Sequence, residues 1–294
     1  MKALVYIETK DGSPIGASLE LLSAAKEIGA EADAVCVASK EGVPDEDVVC
    51  EAIAKKAAEG GYGLVLVSAT TLGKIVAPRI ATRIGGGSVN DAISIAEDGG
   101  KITVVRPVYG GTAQEKMEVT APVAVISIRG GSYPAPEAAP EITEIAAADG
   151  AESLMAKIVE VIAEAGEAVN LEDAKVIVSG GRGMGSEEDF QLCAQLAEVL
   201  GGVVGATRPA IESGWINRTH QVGQSGKIVA PDLYIACGIS GATQHISGMS
   251  ASKYIIAINK DEDAPIFSVA DIGIVADVKQ VLPLMIDEFK KRKD

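Results

Sequence analysis

The chain has 294 residues, 47% apolar but only 3% aromatic, and a formal net charge of −15. That length carries two ordinary domains with aliphatic cores, and the charge argues against nucleic acid, whose phosphates demand a basic surface. No apolar run reaches spanning length, no leader precedes the first strand, and the scattered Cys36, Cys50, Cys193 and Cys237 form no Cys-x-x-Cys pair, so the chain reads as cytoplasmic and reduced.

Residues 3–7 are a short apolar strand. Residues 16–28 place Leu19, Leu22, Ala25 and Ile28 on one helix face. Residues 32–38 are the next strand, 44–58 a helix with acids in its first turn, 64–67 a buried strand and 72–84 a helix. This alternation, with its Val, Ile, Leu and Ala bias, predicts a parallel sheet with helices on both faces. Residues 132–140, rich in Pro, Ala and Glu, open an irregular connection. Residues 156–165 fit both helix and strand, and the β-branched run Ile158-Val-Glu-Val-Ile162 tips the reading to strand. Residues 166–173 read as a linker, so the expected domains are 1–170 and 171–294.

A second alternation begins at Lys175. Residues 176–178 are a strand, Ser179-Gly-Gly-Arg-Gly183 a glycine turn, and Ser186-Glu-Glu-Asp189 a helix cap. Phe190, Cys193, Ala194, Ala197 and Leu200 form that helix's apolar face, and Gly201-Gly202 ends it. Residues 203–206 are the next strand, followed by Thr207-Arg208, a loop with Trp215, and Gln221-Val-Gly-Gln-Ser-Gly226. Residues 233–237 and 254–258 are buried strands. Between them Gly238, Ser240 and Gly241 turn the chain, and 242–249 starts a helix. A late strand over 272–276 and a closing helix over 278–291 complete the chain. A parallel strand, a glycine turn and a helix N-terminus make a ready site for an anionic ligand.

Within this frame Tyr234, Gly238-Ile-Ser-Gly241, Gln244-His245, Gly248 and Ala257-Ile-Asn259 form a string of fixed spacing. It resembles the signature of the alpha subunit of electron transfer flavoprotein. Residues 70–84, 89–95, 104–112 and 125–129 resemble blocks of the same family's first domain. The plain reading of these blocks is scaffold. For Arg106 and Arg129 the other reading is a surface for a partner subunit.

The resemblance covers essentially the whole chain and is strongest from Lys175. It implies an α/β fold of two domains, each a mainly parallel doubly wound sheet, with FAD bound by the C-terminal one. It implies a heterodimer with a beta subunit. It also implies electron traffic between flavoprotein dehydrogenases of the acyl-CoA type and a quinone reductase or other acceptor. One alternative is the alpha subunit of an electron-bifurcating flavoprotein that uses NADH. Another is a nucleotide-binding module without redox work.

Hydrolase and kinase patterns are absent: the chain has two histidines, His220 and His245, no nucleophile elbow and no Walker sequence. No residue is expected to act as acid, base or nucleophile, because the flavin carries the chemistry. Carried over position by position, the FAD contacts are Arg182, Thr207, Arg208, Val222, Gly223, Gln224, Ser225, Ser240, Gly241, Ala242, Thr243, Gln244, His245, Asn259 and Asp277. Ser225 stands where many members have threonine, and Thr207 where serine is common.

Several of these have a plain reading beside the implied one. Arg182 is a solvated turn arginine or a cation over the diphosphate or flavin edge. Arg208 is a surface salt bridge or a cation beside the isoalloxazine, where it favours anionic reduced flavin. Ser225 is a turn serine or a donor to flavin N5, and His245 a core histidine or a donor to flavin C2=O. Asn259 and Asp277 are cap and turn residues or contacts to the adenosine ribose or base. Trp215 is expected to pack in its loop near Arg208.

Overall fold

The computed structural model describes all residues other than 11, 42, 44, 137–139, 148–157, 159–170 and 294. The chain divides into two compact units, Met1–Ala165 and Gly166–Asp294. The strand expected over 156–165 lies outside the described residues apart from Ile158, as does the linker up to residue 170.

The first unit runs β1 (Lys2–Tyr6), β2 (Thr9–Lys10), β3 (Ser13–Pro14), α1 (Gly16–Glu27), β4 (Glu31–Val37), α2 (Asp45–Gly60), β5 (Leu64–Ser68) and α3 (Thr71–Ile84). It continues with β6 (Gly87–Ala92), β7 (Ser94–Asp98), β8 (Lys101–Val108), β9 (Ala113–Val119), β10 (Ala124–Ile128) and β11 (Ile142–Ile145). Six strands pair in parallel in the order β11-β4-β1-β5-β10-β6. The central strands β1, β5 and β10 are covered on both faces, which is why they read as unbroken apolar runs. Leu21, Ala24 and Ala25 of α1 pack on one face. Val49 and Ile53 of α2 with Val76 and Ile80 of α3 pack on the other.

The β-α rhythm breaks after α3. There β7, β8 and β9 form a separate antiparallel sheet, whose Ile95, Ile102 and Val104 join the core on the α1 face. Arg106 pairs with Glu115 across its hairpin at 3.0 Å, and Arg129 grips Asp91 with two bonds of 3.1 and 2.6 Å. Both arginines therefore have local partners. Beyond the Pro-rich connection β11 returns to the edge of the parallel sheet. Helix α3 holds Pro78, which has no N–H for the Lys74 carbonyl one turn back. The Asn90 side chain in β6 donates to that oxygen instead, at 2.9 Å.

The second unit runs β12 (Val176–Gly180), α4 (Glu187–Leu200), β13 (Val203–Ala206), α5 (Arg208–Glu212), β14 (Leu233–Cys237), α6 (Thr243–Ile246), β15 (Tyr254–Asn259), β16 (Ile272–Val275) and α7 (Val278–Lys293). Its strands are all parallel, in the order β13-β12-β14-β15-β16. Ser186 caps α4 by accepting the Asp189 N–H at 3.1 Å, and Gly201 closes it in the left-handed region. Phe190, Cys193 and Leu196 of α4 meet Leu282 and Ile286 of α7 on one face of the sheet.

The other face is covered mostly by irregular chain: Leu171, Val222, Val229, Met249 and Ile266. Two expectations change here. The helix expected from residue 242 is the single turn α6, and the loop expected after Thr207 opens with the short helix α5. Trp215 packs on the helical face against Phe190, with ring centroids 6.1 Å apart.

Candidate functional site

The C-terminal ends of β12, β13, β14 and β15 open on a cleft of about 700 Å³. From β12 the chain runs outward to β13 on one side, whereas β14, on its other side, leads on to β15 and β16. This is a topological switch point, where open parallel sheets bind ligands.

The floor of the cleft is glycine backbone. The Gly181 N–H donates to the Cys237 carbonyl and the Gly183 N–H to the Gly238 carbonyl, each at 2.9 Å. Gly238 has φ +61, and a Cβ there would stand 2.7 Å from the Gly183 carbonyl carbon. The turns after β12 and β14 touch backbone to backbone, which only glycine allows. Just beyond, the N–H groups of Ser240 and Ala242, which line the cleft, donate to nothing among the described residues. A pair of free amides suits an anion. The helix start expected to do this work is too short to add a large dipole, so the amides themselves are the binding feature.

Arg182 reaches the cleft from the turn after β12 and makes no ion pair with the described residues. Thr207, just after β13, is 7% exposed, and its hydroxyl has no partner among the described residues. Such an orphaned group costs about 1–3 kcal/mol unless a ligand satisfies it. Arg208 also lines the cleft, but its Nε lies 2.7 Å from Glu212 Oε1 and its side chain is 67% exposed. Without ligand, its plain reading as a surface salt bridge holds. Ser225 Oγ accepts from Gln221 Nε2 at 3.0 Å and keeps its own proton to donate. The Gln224 N–H donates to the Gln244 carbonyl at 2.8 Å, tying this segment to α6.

His245 lies at the back of the cleft. Its Nδ1 is 3.1 Å from the Val222 carbonyl and its Nε2 3.0 Å from the Tyr234 hydroxyl. A carbonyl only accepts, so Nδ1 carries the proton and Nε2 accepts from Tyr234. Burial pushes the imidazole down to about 4, opposed by the Val222 carbonyl, so the ring is neutral near pH 7. The expected donor role at the flavin C2=O needs a free ring N–H, and this arrangement commits both nitrogens within the protein.

Of the expected contacts, Gly241, Thr243 and Asp277 do not line the cleft; the others do. Gly241, at φ +87, is packed against the Ile266 backbone, and Thr243 opens α6 facing solvent. Asp277 caps α7 by accepting the Lys279 N–H at 2.9 Å. Asn259 does line the cleft, while its amide bridges the Ile239 carbonyl and the Asp261 N–H at 2.9 and 3.0 Å. Sequence reading missed Pro209, Gln221, Ile239, Lys260 and Asp261. Their signal was position alone: each follows a strand's C-terminal end or sits within a run already singled out.

A switch-point cleft of this size, with a glycine floor, free amides, a free cation and an orphaned hydroxyl, defines a dinucleotide-binding α/β domain. Residues 170–250 match the family model described as the electron transfer flavoprotein FAD-binding domain, and residues 29–164 match the electron transfer flavoprotein domain. Electron transfer flavoprotein subunit alpha of Megasphaera elsdenii is 47% identical over 78% of this chain and 70% of its own. The Bacillus subtilis subunit is 44% identical over 77% and 70%, and that of Mycobacterium leprae 37% identical over 99% of each. The chain belongs to the electron transfer flavoprotein alpha-subunit family, and FAD is the cofactor of its second unit. Among the described residues no helix is long and apolar enough to cross a membrane.

Proposed function

We propose that this chain is the FAD-holding subunit of a heterodimer with an electron transfer flavoprotein beta subunit. The pair takes electrons from flavoprotein dehydrogenases of the acyl-CoA type and passes them to a quinone reductase or comparable acceptor in the cytoplasm. The observation that carries the binding reading is the buried, unpartnered Thr207 hydroxyl on the cleft wall. A polar group left in that state is built for a ligand.

Bound FAD supplies the electron-accepting ring; the chain supplies position and electrostatics. Arg182 and the free amides of Ser240 and Ala242 hold the diphosphate. The Thr207 and Ser225 hydroxyls orient the ring system, and the buried Val222 and Ile239 keep water from the floor. The partner reading is supported by the edge strand β16, where Ile272 and Val275 are more than half exposed, and by exposed Leu284 of α7.

The test is co-expression with a beta subunit and purification of the complex. One FAD per alpha subunit, reducible by an acyl-CoA dehydrogenase with its substrate, is the expected result. A folded, colourless complex that takes up no added FAD refutes the cofactor assignment. A yellow complex that no such dehydrogenase reduces refutes the donor class alone.

A further inference from the structure

Three sulfur atoms meet in the core of the second unit, under the glycine floor of the cleft. Met184 comes from the turn after β12, Cys193 from the middle of α4 and Cys237 from the last position of β14, and all three are wholly buried. The Cys193 thiol points at the Met184 sulfur, 3.9 Å away. The Cys237 thiol lies 3.9 Å from the Ile235 carbonyl. It also shares a hydrogen bond with Cys193, which together with burial holds it well above the ordinary thiol range. Buried cysteine and methionine usually serve as core filling. Here they come from three separate elements and converge sulfur to sulfur. Among the described residues no histidine or carboxylate joins the two thiols.

We propose that Met184, Cys193 and Cys237 form a binding site for one soft, thiophilic cation, copper(I), beneath the cleft. Thiolate and thioether sulfur select copper(I) over harder ions, and three ligands leave zinc short of its usual four. A metal–sulfur bond of about 2.3 Å sets three sulfurs around one ion about 4 Å apart, which is the spacing of Cys193 and Met184. Charge balances as well. One copper(I) enters and one thiol proton leaves for water, so a thiolate, a thiol and a thioether hold the ion. No sulfur changes oxidation state, and the site stays neutral, as an apolar core demands.

The ion has a route in. Met184 ends the turn Arg182–Met184, which lies between Gly181 and Gly185, the latter at φ +93. The backbone bond from the Gly183 N–H to the Gly238 carbonyl, at 2.9 Å, ties that turn to the floor. Breaking it lifts Met184 off the two thiols and opens them to the cleft. None of the three sulfur residues lines the cleft itself, so the inference does not rest on FAD.

The test uses the alpha–beta complex, purified under exclusion of air, with copper(I) supplied as its bicinchoninate complex. One copper per complex, drawn from the chelator, is the expected result. X-ray absorption at the copper edge is expected to show sulfur neighbours alone, at about 2.3 Å. Cys193→Ser and Cys237→Ser are each expected to weaken copper by at least about tenfold, since loss of an outer partner alone costs that much. Met184→Leu keeps the core volume and is expected to lower the sulfur count from three to two. Cys36→Ser, at the half-exposed cysteine of the first unit, is expected to change nothing.

A wild-type complex that leaves its copper with bicinchoninate overturns the proposal, as does bound copper with nitrogen or oxygen neighbours. Neither arm needs a variant. Copper held undiminished by both Cys193→Ser and Cys237→Ser, or lost from Cys36→Ser, places the ion elsewhere and also overturns it. Flavin is read on the same samples. A complex with FAD and no copper refutes this inference alone, and one with copper and no FAD refutes the cofactor assignment alone.

Discussion

Thr207 and His245 show two opposite fates of a buried polar side chain. Thr207 is unsatisfied until a ligand arrives, so Thr207→Val should leave the FAD-free protein at least as stable while weakening FAD about tenfold, the loss of one hydrogen bond. Melting of the apo protein and fluorescence titration with FAD check the two signs separately. His245 is satisfied but expensive to protonate. Its folded pKa of about 4 lies below the usual 6.5, so between these values the unfolded chain binds the extra proton. The group's contribution is therefore full above about pH 6.5 and lost as pH falls towards 4, up to roughly 3 kcal/mol. Urea unfolding at pH 7.5 and pH 5 should show a smaller gap between wild type and His245→Gln at the lower pH. Arg208 gives a third check. Arg208→Ala should keep FAD but lower its one-electron potential, and Glu212→Gln should raise it. Each shift should stay below about 1 kcal/mol, because both side chains are well exposed. A reductive titration with both variants moving the same way would refute the electrostatic role. His245 was legible as a member of a spaced motif. Its bonds were not, because Tyr234 and Val222 lie 11 and 23 residues away.

At the scale of elements, what could be read locally was read well. Ser186 with acids after it announced the start of α4, and the structure shows the cap made. Ser186→Ala should cost about 1 kcal/mol in the unfolding of the second unit and leave the bound-flavin absorbance unchanged. Elements whose length is set by tertiary contact were not legible. Helix α6 stops after one turn because the chain turns at Gly248, packed against the Gly223 backbone. The antiparallel sheet of β7, β8 and β9 was hidden for another reason. Strands β7 (Ser94–Asp98) and β9 (Ala113–Val119) are largely polar or charged, so they lack the unbroken apolar run that marks the buried parallel strands. Asp277 and Gly241 were read as ligand contacts on family position; here Asp277 caps α7 and Gly241 packs on the Ile266 backbone. Among the glycines, Gly238→Ala should be the damaging change to the floor of the cleft, since it combines positive φ with a backbone collision. Loss of FAD retention with little change in far-UV circular dichroism is the expected outcome.

At the scale of the whole molecule, the net charge of −15 should act at long range. Association with a basic dehydrogenase surface should slow as ionic strength rises, and stopped-flow rates independent of salt would refute this steering. The division into two α/β units was legible from two successive β-α alternations; the linker was expected over 166–173, and the units part after Ala165. The Pro78–Lys74–Asn90 arrangement has a consequence for how the first unit is made. Helix α3 is missing a rung that only a side chain from the following strand can supply. An isolated peptide of α3 therefore has an internal carbonyl that only water can serve, and the segment should be a poor early nucleus. Its ladder is completed when β6 docks beside β10, which ties helix formation to a late, long-range event. Asn90→Ala should then speed unfolding far more than it slows folding, giving a φ-value near zero in a chevron analysis.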